Sequence, residues 1–169
     1  MELVRLKSGR QVLIRPIRPE DGARLQVAHD RLSPETKYRR FLAAKPHLSA
    51  GEVRYLVNID GRTHVALVAT SQDDSGWILG VGRYVRLPDD PGGAEFAVVV
   101  ADHIQGEGLG TELLERLADV AVSHGFTRLY ATVLADHEPA HRLVHRLAKR
   151  QARLRKVGNL DEYEIDLAA

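Results

Sequence analysis

Residues 94–100 read Ala94-Glu95-Phe96-Ala97-Val98-Val99-Val100 and residues 105–111 read Gln105-Gly106-Glu107-Gly108-Leu109-Gly110-Thr111. The helical pattern Glu112-Leu113-Leu114-Glu115-Arg116-Leu117-Ala118-Asp119-Val120-Ala121 follows. A strand that empties through a glycine-rich turn into a helix N-terminus leaves backbone N–H groups without intrahelical partners, at a spot where the macrodipole favours negative charge. The stretch therefore predicts a phosphate site. Glycine at 106, 108 and 110 removes the Cβ atoms that would hold an anion off the main chain, and Thr111 adds a hydroxyl donor.

Upstream, His64–Thr70 and Trp77–Leu87 read as two strands joined by the polar turn 72–76, an antiparallel hairpin. Residues 88–93, Pro-Asp-Asp-Pro-Gly-Gly, read as a second turn. Residues 11–18 form a short apolar-rich run that Pro16 and Pro19 confine to a sheet edge or a strand end, and Pro19-Glu20-Asp21 opens a helix to about Leu32. Ser33-Pro34-Glu35 is a second helix start, and Ser49-Ala50-Gly51-Glu52 has the spacing of a capping box. Downstream of the 109–124 helix, with Gly125 as its C-terminal stop, come a strand over 128–134, a helix over 138–150 and a last strand near 163–167.

The 169 residues, 44% of them hydrophobic, are enough for one core and one domain over 1–169. Lys and Arg number 24 against 23 Asp and Glu, so the chain lacks the excess positive charge of a nucleic-acid binder. With no Cys there is neither a disulfide nor a thiolate nucleophile, which fits a cytoplasmic protein. No apolar stretch approaches a membrane span and the N-terminus has no signal pattern, so the expectation is a soluble, unprocessed chain without a membrane partner.

The order of elements resembles the GNAT superfamily of N-acetyltransferases, whose diphosphate motif, Gln/Arg-x-x-Gly-x-Gly/Ala, is matched by Gln105, Gly108 and Gly110. Three phrases, Ile14–Asp21, Leu32–Phe41 and Ala94-Glu95-Phe96, are similar to the catalytic domain of bacterial protein lysine acetyltransferases. In that subgroup the domain is often joined to a cyclic-nucleotide-binding or acyl-CoA-synthetase-like module, and neither is read in residues 1–169. The resemblance implies an α/β (α+β) fold with a mixed, mostly antiparallel, splayed sheet flanked by helices. It also implies acetyl-CoA as co-substrate, without a metal. The diphosphate would lie over Gln105, Gly106, Glu107, Gly108, Leu109, Gly110 and Thr111, and the pantetheine arm would pair with the backbones of Val98, Val99 and Val100.

An amine acceptor with a pKa near 10.4 costs roughly 4–5 kcal/mol to neutralise at pH 7, so a general base is needed. Glu95 sits in an otherwise apolar strand, where desolvation would raise a carboxylate pKa, and in the lysine acetyltransferases a Glu at the matching place is the base. The resemblance places His137 where the family's cofactor-contacting helix commonly begins with Asn. Val144 stands where many members carry a Tyr general acid, so the thiolate either leaves unassisted or uses another donor. The frequent Leu-Gly-Phe ending is replaced by Leu147-Ala148-Lys149.

The expected function is acetyl transfer from acetyl-CoA to an amine, a protein lysine, in a ternary complex. A non-catalytic acyl-CoA-binding module and a small-molecule amine acetyltransferase remain alternatives. His137-Glu138-Pro139-Ala140-His141 has the letters of a zinc-protease motif, but Pro139 makes it a helix start and no third ligand is evident, so His145 and its neighbours read as a polar face. His103 and His124 read as surface residues. The basic tract 149–156 reads as a solvated helix end and loop, with an acidic partner or the CoA 3′-phosphate as its alternative use. Arg39 and Arg40, with Tyr38 and Phe41, fall where such enzymes place acceptor-binding helices.

Overall fold

The computed structural model describes residues 1–73, 75–147 and 152–168. Among these, eight strands form one sheet in the order β1-β2-β3-β4-β5-β6-β8-β7: β1 (Glu2–Arg5), β2 (Gln11–Pro16), β3 (His64–Ser71), β4 (Ile78–Leu87), β5 (Asp90–Val100), β6 (Arg128–Leu134), β7 (Ala152–Val157) and β8 (Leu160–Asp166). Every pairing is antiparallel except β5 with β6. The sheet is therefore mixed and mostly antiparallel, as expected.

Three short helices lie between β2 and β3: α1 (Gly22–Asp30), α2 (Pro34–Phe41) and α3 (Ala50–Val57). Ser33 caps α2 by accepting from Thr36 N at 3.1 Å, and Ser49 and Glu52 close a capping box on α3. The corner from β2 into α1 is held by a buried fork-to-fork pair, Arg15 Nη1 and Nη2 each 2.7 Å from Asp21.

The sheet buries two faces. Leu25, Val57, Ala66, Val68 and Val81 form a core under α1 and α3, with Val99 packed against it. The larger core lies under α4 (Leu109–Ser123), where Leu113, Leu114 and Leu117 meet Tyr84, Phe96 and Leu129. Gly80 permits that approach, since a Cβ there would lie 3.0 Å from both Leu109 and Leu113. The last helix, α5 (Glu138–Leu147), buries His141 and Val144.

Four readings need correcting. The turn predicted over 88–93 shrinks to Pro88-Asp89, and Asp90–Gly93 already belong to β5, with the register shifting between Arg86 and Leu87. Asp90 explains this, because its carboxylate takes Arg128 Nε at 3.0 Å and Tyr130 Oη at 2.9 Å and so ties that end of β5 to β6. Strand β1 was not anticipated. The part of the basic tract from Ala152 is a strand, not a loop, with Arg153, Arg155 and Lys156 opposite Glu164, Glu162 and Asp161 of β8. Residues 148–151 lie outside the described residues, so the predicted end of the last helix and the Ala148-Lys149 departure do too. His124 is not a free surface group: its Nδ1 lies 2.8 Å from the hydroxyl of the buried Tyr84.

Candidate active site

Strands β5 and β6 pair at only three positions, Gly93 with Arg128, Ala94 with Leu129 and Glu95 with Tyr130. Beyond Glu95, β5 stays paired to β4 as far as Val100 and β6 stays paired to β8 as far as Leu134. The two strands thus part in a wedge, and each keeps one backbone edge without a strand partner among the described residues. A groove of about 1410 Å³, its open mouth included, occupies the wedge. Phe96, Ala97, Val98, Val99 and Val100 line one side, and Ala131, Thr132 and Val133 the other.

The groove runs on to the turn before α4, where Gln105, Gly106, Gly108, Leu109, Gly110 and Thr111 line it. Gly106 and Gly108 adopt φ of +81° and +95°, left-handed conformations that a Cβ would strain, and Gly108 is the N-cap of α4. The first main-chain bond into the helix is Glu112 N to Gly108 O at 3.1 Å. The amides of Gly106, Glu107 and Gly108 find no acceptor among the described residues, and those of Leu109, Gly110 and Thr111 precede the first full helical turn. A row of donors facing an open groove fits a diphosphate. Lys7, whose side chain runs past Gly108, and Arg142 and Arg146 of α5 add positive charge.

Within that turn the side chains divide. Gln105 donates from Nε2 to the Val100 carbonyl at 3.1 Å, so its amide group fastens the strand end to the turn. Glu107 turns away from the groove: Ser8 Oγ lies 2.5 Å from its carboxylate and Arg10 3.8 Å, while its carbonyl accepts from Lys7 N at 3.0 Å. Glu107 is not among the residues that line the groove.

Glu95 is the last residue of β5 paired to β6 and so stands at the point of the wedge. Its neighbours Phe96 and Ala97 line the groove, whereas Glu95 itself is exposed. The burial expected from its apolar flanks is absent: Glu95 is exposed and Ala97 and Val99 on the same face are half-buried, whereas Ala94 and Phe96 on the other face are buried. His137 lines the groove just before α5, and burial, with the charges of Arg39 and His141, holds its pKa below the usual histidine value. Val144 is buried against the groove and brings no proton donor.

His141 points elsewhere. Its Nε2 donates to the carbonyls of Leu134 and Ala135 at 3.1 Å each, and its Nδ1 lies 2.6 Å from the Tyr163 hydroxyl. It therefore secures the end of β6, and His137 and His141 do not form a ligand pair. Among the described residues no group of three or more His, Cys, Asp or Glu is placed to hold a metal ion.

Sequence reasoning missed Arg83. It lies on β4 opposite Ala97, is 5% exposed, and donates from Nη1 to His64 Nε2 at 2.9 Å and to the Leu56 carbonyl at 3.2 Å. A charge in the middle of the apolar run 78–85 was the available signal. Burial, with the nearby Arg40 charge, pushes Arg83 down to about 10, still protonated at neutral pH.

A splayed sheet with a phosphate-ready helix start at the mouth of its wedge defines an acyl-CoA-dependent transferase. The model of the acetyltransferase (GNAT) family matches residues 29–148, and the chain belongs to that family, whose acetyl donor is acetyl-CoA. It is 39% identical over 127 residues to Acetyltransferase PA5475 of Pseudomonas aeruginosa, covering 75% of this chain and 68% of that protein. It is 31% identical over 144 residues to Acetyltransferase Pat of Mycolicibacterium smegmatis, covering 85% of this chain but only 43% of that longer protein. The crystal structure of the GNAT domain of S. lividans PAT superposes with a TM-score of 0.86 at 29% identity, over 98% of this chain and 96% of that one. The yncA protein of Salmonella typhimurium, solved with acetyl-CoA, shares the fold with a TM-score of 0.73 at 19% identity, over 92% of this chain and 94% of that one.

Proposed function

We propose that the chain transfers the acetyl group of acetyl-CoA to the primary amine of a protein lysine by direct attack, with Glu95 as general base. The observation that carries this reading is the position of Glu95 at the last paired residue of the wedge, on the strand that would hold the donor. The diphosphate would rest on the amides of 106–111, and the pantetheine arm would run along Val98, Val99 and Val100 with the thioester toward the apex. The acceptor nitrogen loses its proton to Glu95, directly or through a water, and forms the N–C bond as the C–S bond breaks. CoA leaves as thiolate. A backbone N–H of β5 at the wedge supplies the donor for the carbonyl oxygen as it gathers charge. With no Cys in the chain, a covalent thiol relay is not available.

The exposure of Glu95 favours an acceptor carried on a macromolecule. Glu95 lines neither the donor groove nor the cavity beneath α1 and α2, so the amine reaches it from the open surface. Similarity to the catalytic domain of lysine acetyltransferases in Ala94-Glu95-Phe96 points the same way. The test is Glu95→Gln: CoA binding by calorimetry should be unchanged, while acceptor-dependent CoA release on lysine peptides falls by about 100-fold or more. A wild-type protein that binds CoA but releases none with lysine peptides, polyamines or amino sugars would refute the catalytic reading. Turnover confined to polyamines or amino sugars would move the acceptor to a small molecule.

A further inference from the structure

Beneath α1 and α2 lies a second, narrow cavity, walled by α1, α2 and β4. Its walls are apolar, with Leu25, Ala28, Leu32 and Phe41 among them, yet two guanidinium groups, Arg40 and Arg83, also line it. Their surroundings set them apart from other arginines in the fold. Arg15 is paired with Asp21 and Arg39 with Glu35, whereas Arg40 and Arg83 form no ion pair among the described residues. Arg83 uses only Nη1 in hydrogen bonds, and no sealed side-chain nitrogen among the described residues lacks a partner, so its Nε and Nη2 border open space. Arg40 stacks on Phe41, 4.7 Å from the ring centroid, and donates to no acceptor among the described residues. Two like charges at one apolar cavity, one of them almost wholly buried, are costly, and a carboxylate entering the cavity would join the Glu95 charge, which already acts on Arg40, in offsetting them.

Arg40 also lines the donor groove, as does Val99, so the two cavities meet there. On the same sheet face Arg83 opposes Ala97 and Val85 opposes Glu95, which makes Arg83 a diagonal neighbour of Glu95, about 7–8 Å away by strand geometry. An aliphatic channel ending in two forked cations next to the base suits a short hydrocarbon stem that ends in a carboxylate.

We propose that Arg40 and Arg83 form an acceptor subsite for a glutamate side chain flanking the lysine to be acetylated. This rests on the reading above that the acceptor is a protein lysine. The stem lies against Leu25, Ala28, Leu32 and Phe41, the carboxylate takes the free guanidinium edges, and the neighbouring lysine is brought to Glu95.

Binding tests this without requiring turnover. Two fluorescent peptides identical except for Glu or Gln beside the lysine are titrated by anisotropy onto the CoA-loaded protein, with free glutamate as competitor. The Glu peptide should bind about 10-fold or more tightly, as expected for a charge-assisted contact in a dry site. Arg40→Gln should abolish the preference, read as the ratio of Glu-peptide to Gln-peptide affinity measured on the same variant at saturating CoA, and Arg83→Lys should weaken it. Equal affinities for the Glu and Gln peptides, or a preference that survives Arg40→Gln, would overturn the subsite. Displacement by free glutamate at concentrations that match the peptide would overturn its assignment to a protein segment. Tight, Glu-dependent binding with no acetylation would leave the subsite standing and count against Glu95 as base.

Discussion

The Asp102 carboxylate accepts a hydrogen bond from Thr36 Oγ1 at 2.6 Å and two more from Ser33, through N at 2.9 Å and Oγ at 3.0 Å. Asp102 lies two residues past the end of β5, and Ser33 and Thr36 form the start of α2, so one side chain sets α2 against the groove. Asp102→Ala should cost about 1–2 kcal/mol of stability. It should raise the acceptor KM severalfold with CoA affinity unchanged, which steady-state kinetics and calorimetry separate. Partial burial opposes ionisation of Asp102, but the Thr36 and Ser33 donors prevail and hold its pKa below the ordinary value of 3.8. The carboxylate therefore fastens α2 at neutral pH, and the link is lost only in acid, as pH falls through that lowered pKa.

The buried pair of Arg15 and Asp21, 7% and 2% exposed, fixes the turn from β2 into α1. Asp21→Ala leaves a guanidinium stranded in the core and removes the acceptor for Arg18 N at 2.8 Å. Urea unfolding should show a loss of about 3–5 kcal/mol. A loss below about 1 kcal/mol would mean that water reaches Arg15.

His64 couples the second cavity to pH. Arg83 donates to its Nε2, so the ring must be neutral there, and burial with the Arg83 charge lowers its pKa to about 4 against the resisting charge of Asp60. The folded chain binds fewer protons than the unfolded one between pH about 6.5 and about 4. The stabilisation is thus complete above that window and lost on acidification through it, on the order of 3 kcal/mol. His64→Gln, whose amide oxygen can still accept from Arg83, should flatten the dependence when urea midpoints are compared at pH 7, 5 and 4.

How far these features were legible depends on where their causes lie. The 94–111 segment was readable because its information is local: apolar run, glycines and helix start sit side by side. Both Ser-led helix starts were readable for the same reason, since a cap is made by residues three apart. Strand β7 was not. All six of its residues are exposed, its short Ala152-Arg153-Leu154-Arg155 alternation breaks at Lys156, and the opposite charges on β8 that support it come near only on pairing. Glu95 misled in the same way, because flanking residues predict burial of a strand but not which stretch of its face the helices leave open. Arg83 and Arg40, 43 positions apart, become a pair only when α2 folds over β4 and β5.

Two neighbours in the glycine turn should respond in opposite ways. Gly108 holds φ of +95° as the N-cap of α4, and a Cβ there would meet only the Lys7 side chain at 3.6 Å, an ordinary contact. Gly108→Ala is therefore penalised through the backbone, by about 1–2 kcal/mol. Relief of that strain would rotate the amides of 107–109 away from their common focus, so the Kd for CoA should rise about 10-fold. Glu107→Gln changes a side chain that faces Ser8 and Arg10, outside the groove, and should leave the Kd within about twofold while costing less than about 1 kcal/mol of stability. Calorimetric titration of CoA into both variants decides the matter. If Glu107→Gln were the weaker binder of the two, the main-chain cradle would not be what holds the diphosphate.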